Sequence, residues 1–308
     1  MQAKLALYNH LISKFGEQRV FTNQPLSRHC NWKVGGPADI FFTAKDVSEL
    51  IEAVRSARLF KQPVTILGFG ANVLVSDRGI RGLVILNRAE RIVFHPDYVV
   101  EADSGTNLAL LARRAAEQGV GGLEILIGIP GTVGAAVFGN AGTREQWMSH
   151  ILNKVRVLTR EGQDRILDAR QIIFDYRSSS LKQSGDIVLT AWLKGYPGER
   201  ATIENKMQEL LDLRQNQPGG PSTGSVFKNP PGDFAGRLIE ACGLKGYRIG
   251  GAEISEMHAN FILNRGHATA SDIRALIRLA KSRVAEKFGI KLKEEIHYLG
   301  EWDEALDH

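Results

Sequence analysis

Residues 221–233 read PSTGSVFKNPPGD, where Ser225, Lys228 and Asn229 stand beside only two bulky apolar residues, Val226 and Phe227. Proline and glycine restrict the backbone of such a loop, so its polar side chains either close local turn bonds to backbone amides or meet a ligand. Arg177, in FDYRSSS, is a second candidate, because a planar guanidinium grips both oxygens of a carboxylate; its plainer role is a surface ion pair. Glu294 and Glu295 adjoin near the C-terminus in KLKEEIHYLG. On an extended strand Glu295, His297 and Leu299 share one face and Glu294, Ile296 and Tyr298 the other, so only one of the two carboxylates can serve a given site.

Two glycine-rich stretches are candidates for holding a phosphate-bearing ligand. Residues 67–79, LGFGANVLVSDRG, follow the apolar run VTIL, and Gly68 and Gly70 permit a backbone whose successive amides converge on one point. The stretch is not a Rossmann fingerprint: Val73 stands where the third glycine belongs, and VLVSD reads as extended rather than helical. For this loop alone a tight turn between strands is the plainer account. Residues 128–142, GIPGTVGAAVFGNAG, are rich in glycine and alanine, which lets a flat ligand come close or packs a short helix tightly on a sheet. The presence of both loops in one chain favours a dinucleotide held along its length.

The elements that must position these residues can be read from periodicity. Residues 38–86 run strand (ADIFFTA), helix (DVSELIEAVRSARLF), strand (VTIL) and strand (GLVIL); Asp46 and Glu49 have capping-box spacing, and Val47, Leu50, Ile51 and Val54 form one face. Residues 91–195 add RIVF, YVVEA, a helix near 107–118, and the hairpin-like runs NKVRVLTREGQDRILD and DIVLTAWL. A helix near 201–214 leads into the Ser225 loop, and the best candidate for a boundary lies near residue 200. A short helix (AGRLIEACGL), a strand (NFILN), a long helix and a last strand (KEEIHYLG) follow. Thr269 and Asp272 have capping-box spacing at the start of the long helix, and Ile273, Leu276, Ile277, Ala280, Val284 and Phe288 make its apolar stripe. The fold class is α+β.

At 308 residues the chain exceeds one average domain, and 43% hydrophobic with 24% charged residues excludes disordered and membrane-protein classes. Its 39 basic and 34 acidic residues, net +5, make a mixed surface that suits anionic small molecules, and no Lys/Arg block resembles a nucleic-acid arm. Cys30 and Cys242 fall in no CxxC or Cys/His pattern, so neither a disulfide framework nor a metal site is expected, and a reducing cytoplasm is the simplest setting. The N-terminus reads as an amphipathic helix rather than a signal peptide, and no apolar run approaches the about 18 residues that span a bilayer.

NWKVGGPAD, LGFGANVLVSD, GIPGTVGAA, NAG, FDYRSSS, GSVFKNP, AGRLIE, GLKG and GIKLKEEIHYLG follow one another along nearly the whole chain. In that order they resemble the UDP-N-acetylenolpyruvoylglucosamine reductase family, flavoenzymes of peptidoglycan precursor synthesis. The short segment after Tyr176 resembles the family's second type, which lacks an inserted tyrosine-bearing loop. The resemblance implies two FAD-binding parts of the vanillyl-alcohol-oxidase (PCMH) type, residues 1–86 and 87–200, and a C-terminal α+β substrate-binding domain, residues 201–308. It implies noncovalent FAD, NADPH as co-substrate, and reduction of the enolpyruvyl ether of the UDP-sugar to UDP-N-acetylmuramate.

The same resemblance implies a site. Gly68, Phe69, Gly70, Ala71 and Asn72, with Gly128, Ile129, Gly131, Thr132 and Gly134, would hold FAD; Tyr176, Arg214, Lys228, Asn229 and His258 would meet substrate. Arg177, Ser225 and Glu295 would be catalytic, the alignment on Leu292 and Ile296 selecting Glu295 over Glu294. Hydride added to the terminal carbon of an enol ether conjugated to a carboxylate pushes electron density onto the neighbouring carbon and the carboxylate oxygens. Arg177 would oppose that charge, and Ser225, on its stiffened loop, would deliver the proton. Lys228 would ease the alkoxide left behind or meet a phosphate. The chain departs from the family at Ala71, where a Ser usually follows GxG, and at Thr143, Arg144 and Glu145, where an aromatic–glycine pair usually follows NAG. Two other readings are an FAD-dependent oxidase or dehydrogenase of the same fold on another hydroxy-acid or sugar, against which GSVFKNP and the Glu-bearing last strand argue, and a non-catalytic nucleotide-sugar or RNA-binding module.

Overall fold

The amphipathic N-terminus folds as α1 (Gln2–Phe15), which buries Leu7 and Leu11. The computed structural model describes residues 2–143 and 146–302. The chain divides into two compact units, the first made of Met1–Val20, Phe42–Gly68 and Ile85–Gln215, the second of Phe21–Phe41, Phe69–Val84 and Asn216–His308.

In the first unit α1 lies on α2 (Val47–Leu59), joined by a Lys14–Glu52 ion pair. Asp46 caps α2 by accepting the Glu49 amide at 2.9 Å. The reciprocal half of the expected capping box is not made. The Glu49 carboxylate instead accepts from the Arg19 guanidinium through both oxygens, each at 2.7 Å, and from the Lys45 amide. A bidentate charged donor outcompetes the single neutral amide of Asp46. Beyond this, β6 (Ile92–His95), β7 (Val99–Asp103), β9 (Leu152–Leu158), β10 (Asp164–Asp168) and β13 (Ile187–Lys194) form an antiparallel sheet in the order β10-β9-β13-β7-β6. The small pair β8 (Val120–Gly121) and β14 (Tyr196–Pro197) stands apart from it. Helices α3 (Leu108–Glu117) and α4 (Val133–Gly139) bury Leu111, Val133 and Val137 with Val155, Val157 and Leu193 of the sheet. Two short helices, α5 (Met148–Ile151) and α6 (Leu181–Ser184), flank the hairpin of β11 (Phe174–Asp175) and β12 (Ser178–Ser179), whose turn carries Tyr176 and Arg177. Helix α7 (Arg200–Asp212) adds Ile203 and Met207 to the same core.

In the second unit β1 (Val20–Pro25) lies beside β2 (Pro37–Ala44), and β2 beside β5 (Ile80–Asn87); β3 (Val64–Leu67) neighbours β5 in the first. An antiparallel sheet of β15 (Arg248–Ile249), β16 (Ala252–Ile254) and β17 (Ile262–Asn264) packs with α8 (Ala235–Ala241) and α9 (Ala270–Phe288). The α9 stripe is buried as its period requires, with Phe288 at its margin. Both halves of its capping box form: Thr269 accepts the Asp272 amide at 3.0 Å and Asp272 accepts the Thr269 amide at 2.9 Å. Asp77 then takes two further helix-end amides, of Ala270 at 2.8 Å and Ser271 at 3.0 Å. Trp32, fully buried, donates its indole N–H to the Ile262 carbonyl at 2.7 Å.

The last strand differs from the expectation. Glu294 makes a lone bridge to Phe227, and only β18 (His297–Leu299) forms a ladder, parallel to β4 (Val73–Val75). The segment changes partner part-way, so KEEIHYLG is not one strand. Among the described residues no helix is long and apolar enough to cross a membrane.

Asp77→Ala should cost about 1 kcal/mol, since it strips a carboxylate from orphan amides at a helix N-terminus. The measurement is a urea midpoint on the FAD-loaded protein; an unchanged midpoint would show that α9 does not depend on this contact.

Candidate active site

The Ser225 loop is the middle rail of a three-stranded crossing within the second unit. Val226 donates its amide to the Asn260 carbonyl at 2.8 Å, and its own carbonyl accepts the Glu295 amide, also at 2.8 Å. Ser225 bridges Phe261, Phe227 bridges Glu294, and Lys228 donates to the Lys293 carbonyl at 2.9 Å. The Asn260 carboxamide closes both polar groups of Phe227, at 2.9 and 2.8 Å. Ser225 and Glu295 are thereby brought to one backbone crossing. Among the described residues the Ser225 hydroxyl makes no hydrogen bond, so the local turn bond that would explain it structurally is absent, while nearby Thr223 Oγ1 is buried and also without a partner. The neighbouring Glu294 carboxylate is held by Lys281 of α9 at 2.7 Å.

Two residues expected near substrate have structural contacts as well. The Asn229 side chain accepts the Ala235 amide at 3.1 Å and so opens α8. His258 is exposed overall, but one side of its ring lies against Gly236 and Phe261, and the loss of water there pushes its pKa below the ordinary histidine value. Its Nδ1 accepts the Asn260 amide at 3.2 Å.

The first glycine loop is shaped by exclusion. Gly70 has φ +62°, and a Cβ there would lie 2.2 Å from the His29 carbonyl oxygen, so only glycine fits. After Ala71, Asn72 donates its side-chain N–H to the Glu295 carbonyl at 3.1 Å and accepts the His297 amide on its own carbonyl at 3.0 Å. Cys30, next to this turn, is buried, and burial pushes its thiol up to about 12, outside the reactive range.

In the first unit the two glycine loops touch: a Cβ on Gly68 would sit 3.0 Å from Thr132 Oγ1. Thr132 caps α4, and Arg88 donates to the Gly68 carbonyl at 3.1 Å. Beside them Thr106 Oγ1 is buried with no partner. Close-set loops with an orphaned hydroxyl are what a dinucleotide cofactor needs, so these residues fit FAD. At the far end of α4, Asn140 adopts the left-handed conformation and donates its side-chain N–H to the Asp175 carbonyl at 3.1 Å, which fixes the β11–β12 turn. There Arg177 has φ +56°, donates to the Gly142 carbonyl at 3.0 Å, and accepts Lys182 on its own carbonyl at 2.9 Å. Its guanidinium lies 5.4 Å from the Trp147 ring centre and 5.8 Å from that of Tyr176. Arg214 packs against Gly128, where a Cβ would meet its Nε at 2.9 Å. Burial and then the Arg177 charge lower its pKa.

Trp147, Arg88, Asn140 and Lys281 escaped the sequence reading. Trp147 alone carried a signal: it follows the unusual Thr143–Glu145 run, of which Arg144 and Glu145 lie outside the described residues. Among the described residues no cluster suited to a metal ion occurs.

An FAD binding domain profile matches residues 38–167, and a profile of the UDP-N-acetylenolpyruvoylglucosamine reductase C-terminal domain matches residues 215–299. The chain is 46% identical over 285 residues to UDP-N-acetylenolpyruvoylglucosamine reductase of Moorella thermoacetica, covering 92% of this chain and 94% of that one. The chain belongs to the UDP-N-acetylenolpyruvoylglucosamine reductase family. The reductase of Geobacillus kaustophilus is 38% identical over 297 residues, 96% of this chain and 98% of its own. The crystal structure of the reductase from Thermus caldophilus superposes with a TM-score of 0.79 at 38% identity, over 91% of this chain and 99% of that one. The α+β class and the FAD-binding region expected from the sequence are those of this reductase family.

Gly70→Ala should yield protein without yellow cofactor, because its Cβ collides with backbone. Ala71→Ser should keep FAD or tighten it by about 1 kcal/mol, one added hydrogen bond. Flavin content and FAD titration of the apoprotein measure both; an FAD-replete Gly70→Ala would show the loop to be misassigned.

Proposed function

We propose that this chain is an FAD-dependent, NADPH-using reductase that converts the enolpyruvyl ether of UDP-N-acetylglucosamine enolpyruvate to UDP-N-acetylmuramate for peptidoglycan synthesis. The observation that carries the reading is the pair of bonds from Val226, which sets Ser225 one residue from a peptide hydrogen-bonded to Glu295. Bound FAD supplies the hydride route from NADPH to the terminal enol carbon. On this reading residues 1–86 and 87–200 serve the flavin and residues 201–308 the substrate. The backbone amides of Gly68 to Asn72 and of the Gly128–Gly134 stretch, through Ile129, Gly131 and Thr132, bind the cofactor noncovalently.

Each side chain then has one task. Arg177 binds the substrate carboxylate and opposes the charge that builds on it. Ser225 donates the proton to the carbon next to the carboxylate, a transfer possible for a weak acid because the acceptor is a strongly basic carbanion held in place. Glu295 returns the proton to that hydroxyl. Lys228 stabilises the resulting oxyanion or a phosphate. Arg214, which makes no ion pair among the described residues, meets the diphosphate, with Tyr176, Asn229 and His258 on the remaining substrate groups. The setting is the cytoplasm, where the two cysteines stay reduced.

The deciding experiment is NADPH oxidation that depends on the enolpyruvyl UDP-sugar, with UDP-N-acetylmuramate as product; flavin reduction with no substrate-dependent turnover would remove this function. Ser225→Ala should leave flavin reduction by NADPH near normal and slow reoxidation by substrate by roughly 10² to 10⁴, the range for losing a positioned acid. Equal loss in both halves would make Ser225 structural. Glu295→Gln should impair the same second half while FAD is retained. Glu294→Gln weakens only the contact to Lys281, a loss of about 0.5 kcal/mol with near-normal turnover. Stopped-flow traces of the two variants side by side test the choice, and a crippled Glu294 variant would shift the assignment by one residue.

A further inference from the structure

Glu295 is attached through its peptide to the two loops that the reaction needs. Its amide donates to Val226, next to Ser225, and its carbonyl accepts from the side chain of Asn72, next to Ala71 of the first glycine loop. The attachment on the glycine-loop side is double, because the Asn72 carbonyl takes the His297 amide at 3.0 Å, two residues further on. Parallel pairing of β4 with β18, Val73 opposite His297, continues from there. The side chains on either side of Glu295 are fixed independently: Glu294 by Lys281 at 2.7 Å, Ile296 by burial at 5% exposure. The Glu295 carbonyl is taken by a carboxamide whose own backbone sits in the first glycine loop.

We propose that Asn72 is a positioning residue for the proton-transfer step, setting the Glu295 peptide in register with Ser225. The proposal rests on the assignment of Glu295 above and adds a residue that acts only through it. Its side chain faces the Glu295 carbonyl, so the carboxamide serves proton transfer while the loop amides serve the cofactor. A carbonyl without its donor lets the peptide tilt, and a displacement of about 1 Å at a reacting group costs up to roughly 10²-fold in rate.

The test is a double-mutant cycle of Asn72→Ala with Glu295→Gln, read in the separate half-reactions, together with FAD affinity of each apoprotein and hydrogen exchange of the peptide spanning residues 292–299. Asn72→Ala should slow reoxidation by substrate about 10- to 10²-fold, at least tenfold more than it slows flavin reduction by NADPH, and speed exchange of the 292–299 peptide, with FAD affinity reporting separately on the glycine loop. In the Glu295→Gln background the same change should slow reoxidation little further. Full additivity, or a loss shared by both half-reactions, overturns the proposal. If Glu295→Gln alone leaves reoxidation normal, the assignment of Glu295 fails first, and the cycle shows which has failed. Asn72→Asp keeps the volume and removes the donor, so it carries the comparison if the alanine variant does not fold; failure of both to fold makes Asn72 purely structural and sinks the idea.

Discussion

Val226 donates its amide to Asn260 and accepts from Glu295 with its side chain fully sealed from water, and the placement of Ser225 beside Glu295 in the second unit hangs on that crossing. Neither bond is strong alone, about 1 kcal/mol net for an amide pair, but a buried peptide group left unpaired costs 1–3 kcal/mol more, roughly. Burial of the valine side chain adds about 1.5–3 kcal/mol that any shifted pairing would forfeit. Register is therefore fixed. A slip of the C-terminal segment by one residue would bring Glu294 opposite Val226 while tearing it from Lys281 and exposing Leu292 and Ile296. The apolar residues around Ser225 and Glu295 thus decide which carboxylate is presented beside the loop.

The first unit reaches the same end by strain rather than burial. Arg177 occupies a left-handed conformation, φ +56°, that costs a non-glycine residue about 1–2 kcal/mol, and the bonds around it offset this. Asn140 grips the carbonyl two residues before it, Lys182 its own carbonyl, and Gly142 its guanidinium. Trp147 and Tyr176, edge to face with centres 5.4 Å apart, flank the cation. Aromatic faces orient a guanidinium through their quadrupole without fixing it to one acceptor.

The sequence made some of this legible for definable reasons. Helices α2 and α9 were readable because their periods and caps are local, within four residues, and the Ser225 loop because proline and glycine announce a fixed backbone. What escaped depends on distant partners. Asn72 meets Glu295 across 223 positions, and no periodicity encodes that. The break in KEEIHYLG arises because its first half pairs with the Ser225 loop and its second with β4, a change of neighbour that leaves the strand's own composition untouched. Glu49 looked like half of a capping box because spacing alone does not reveal that Arg19 arrives from 30 positions away. Asn229 and His258 carry structural contacts that side-chain type alone does not reveal.

Arg214 shows why electrostatics adds to that reading. Its pKa is lowered first by burial and then by the charge of Arg177, so two guanidiniums share a partly dehydrated space within one unit. Burying one cation beside another is unfavourable unless something else in the molecule supports it, and here the supports are backbone: Gly128, which leaves room for the Arg214 side chain, and the strained turn that carries Arg177. An anion entering beside Arg214 would oppose the Arg177 repulsion at a place where burial has removed part of the water screening. With the substrate carboxylate bound at Arg177 as proposed, the relief would grow as negative charge accumulates during hydride addition. On the proposed assignment the two cations would then favour the charged transition state over the ground state, the condition for catalysis rather than mere binding.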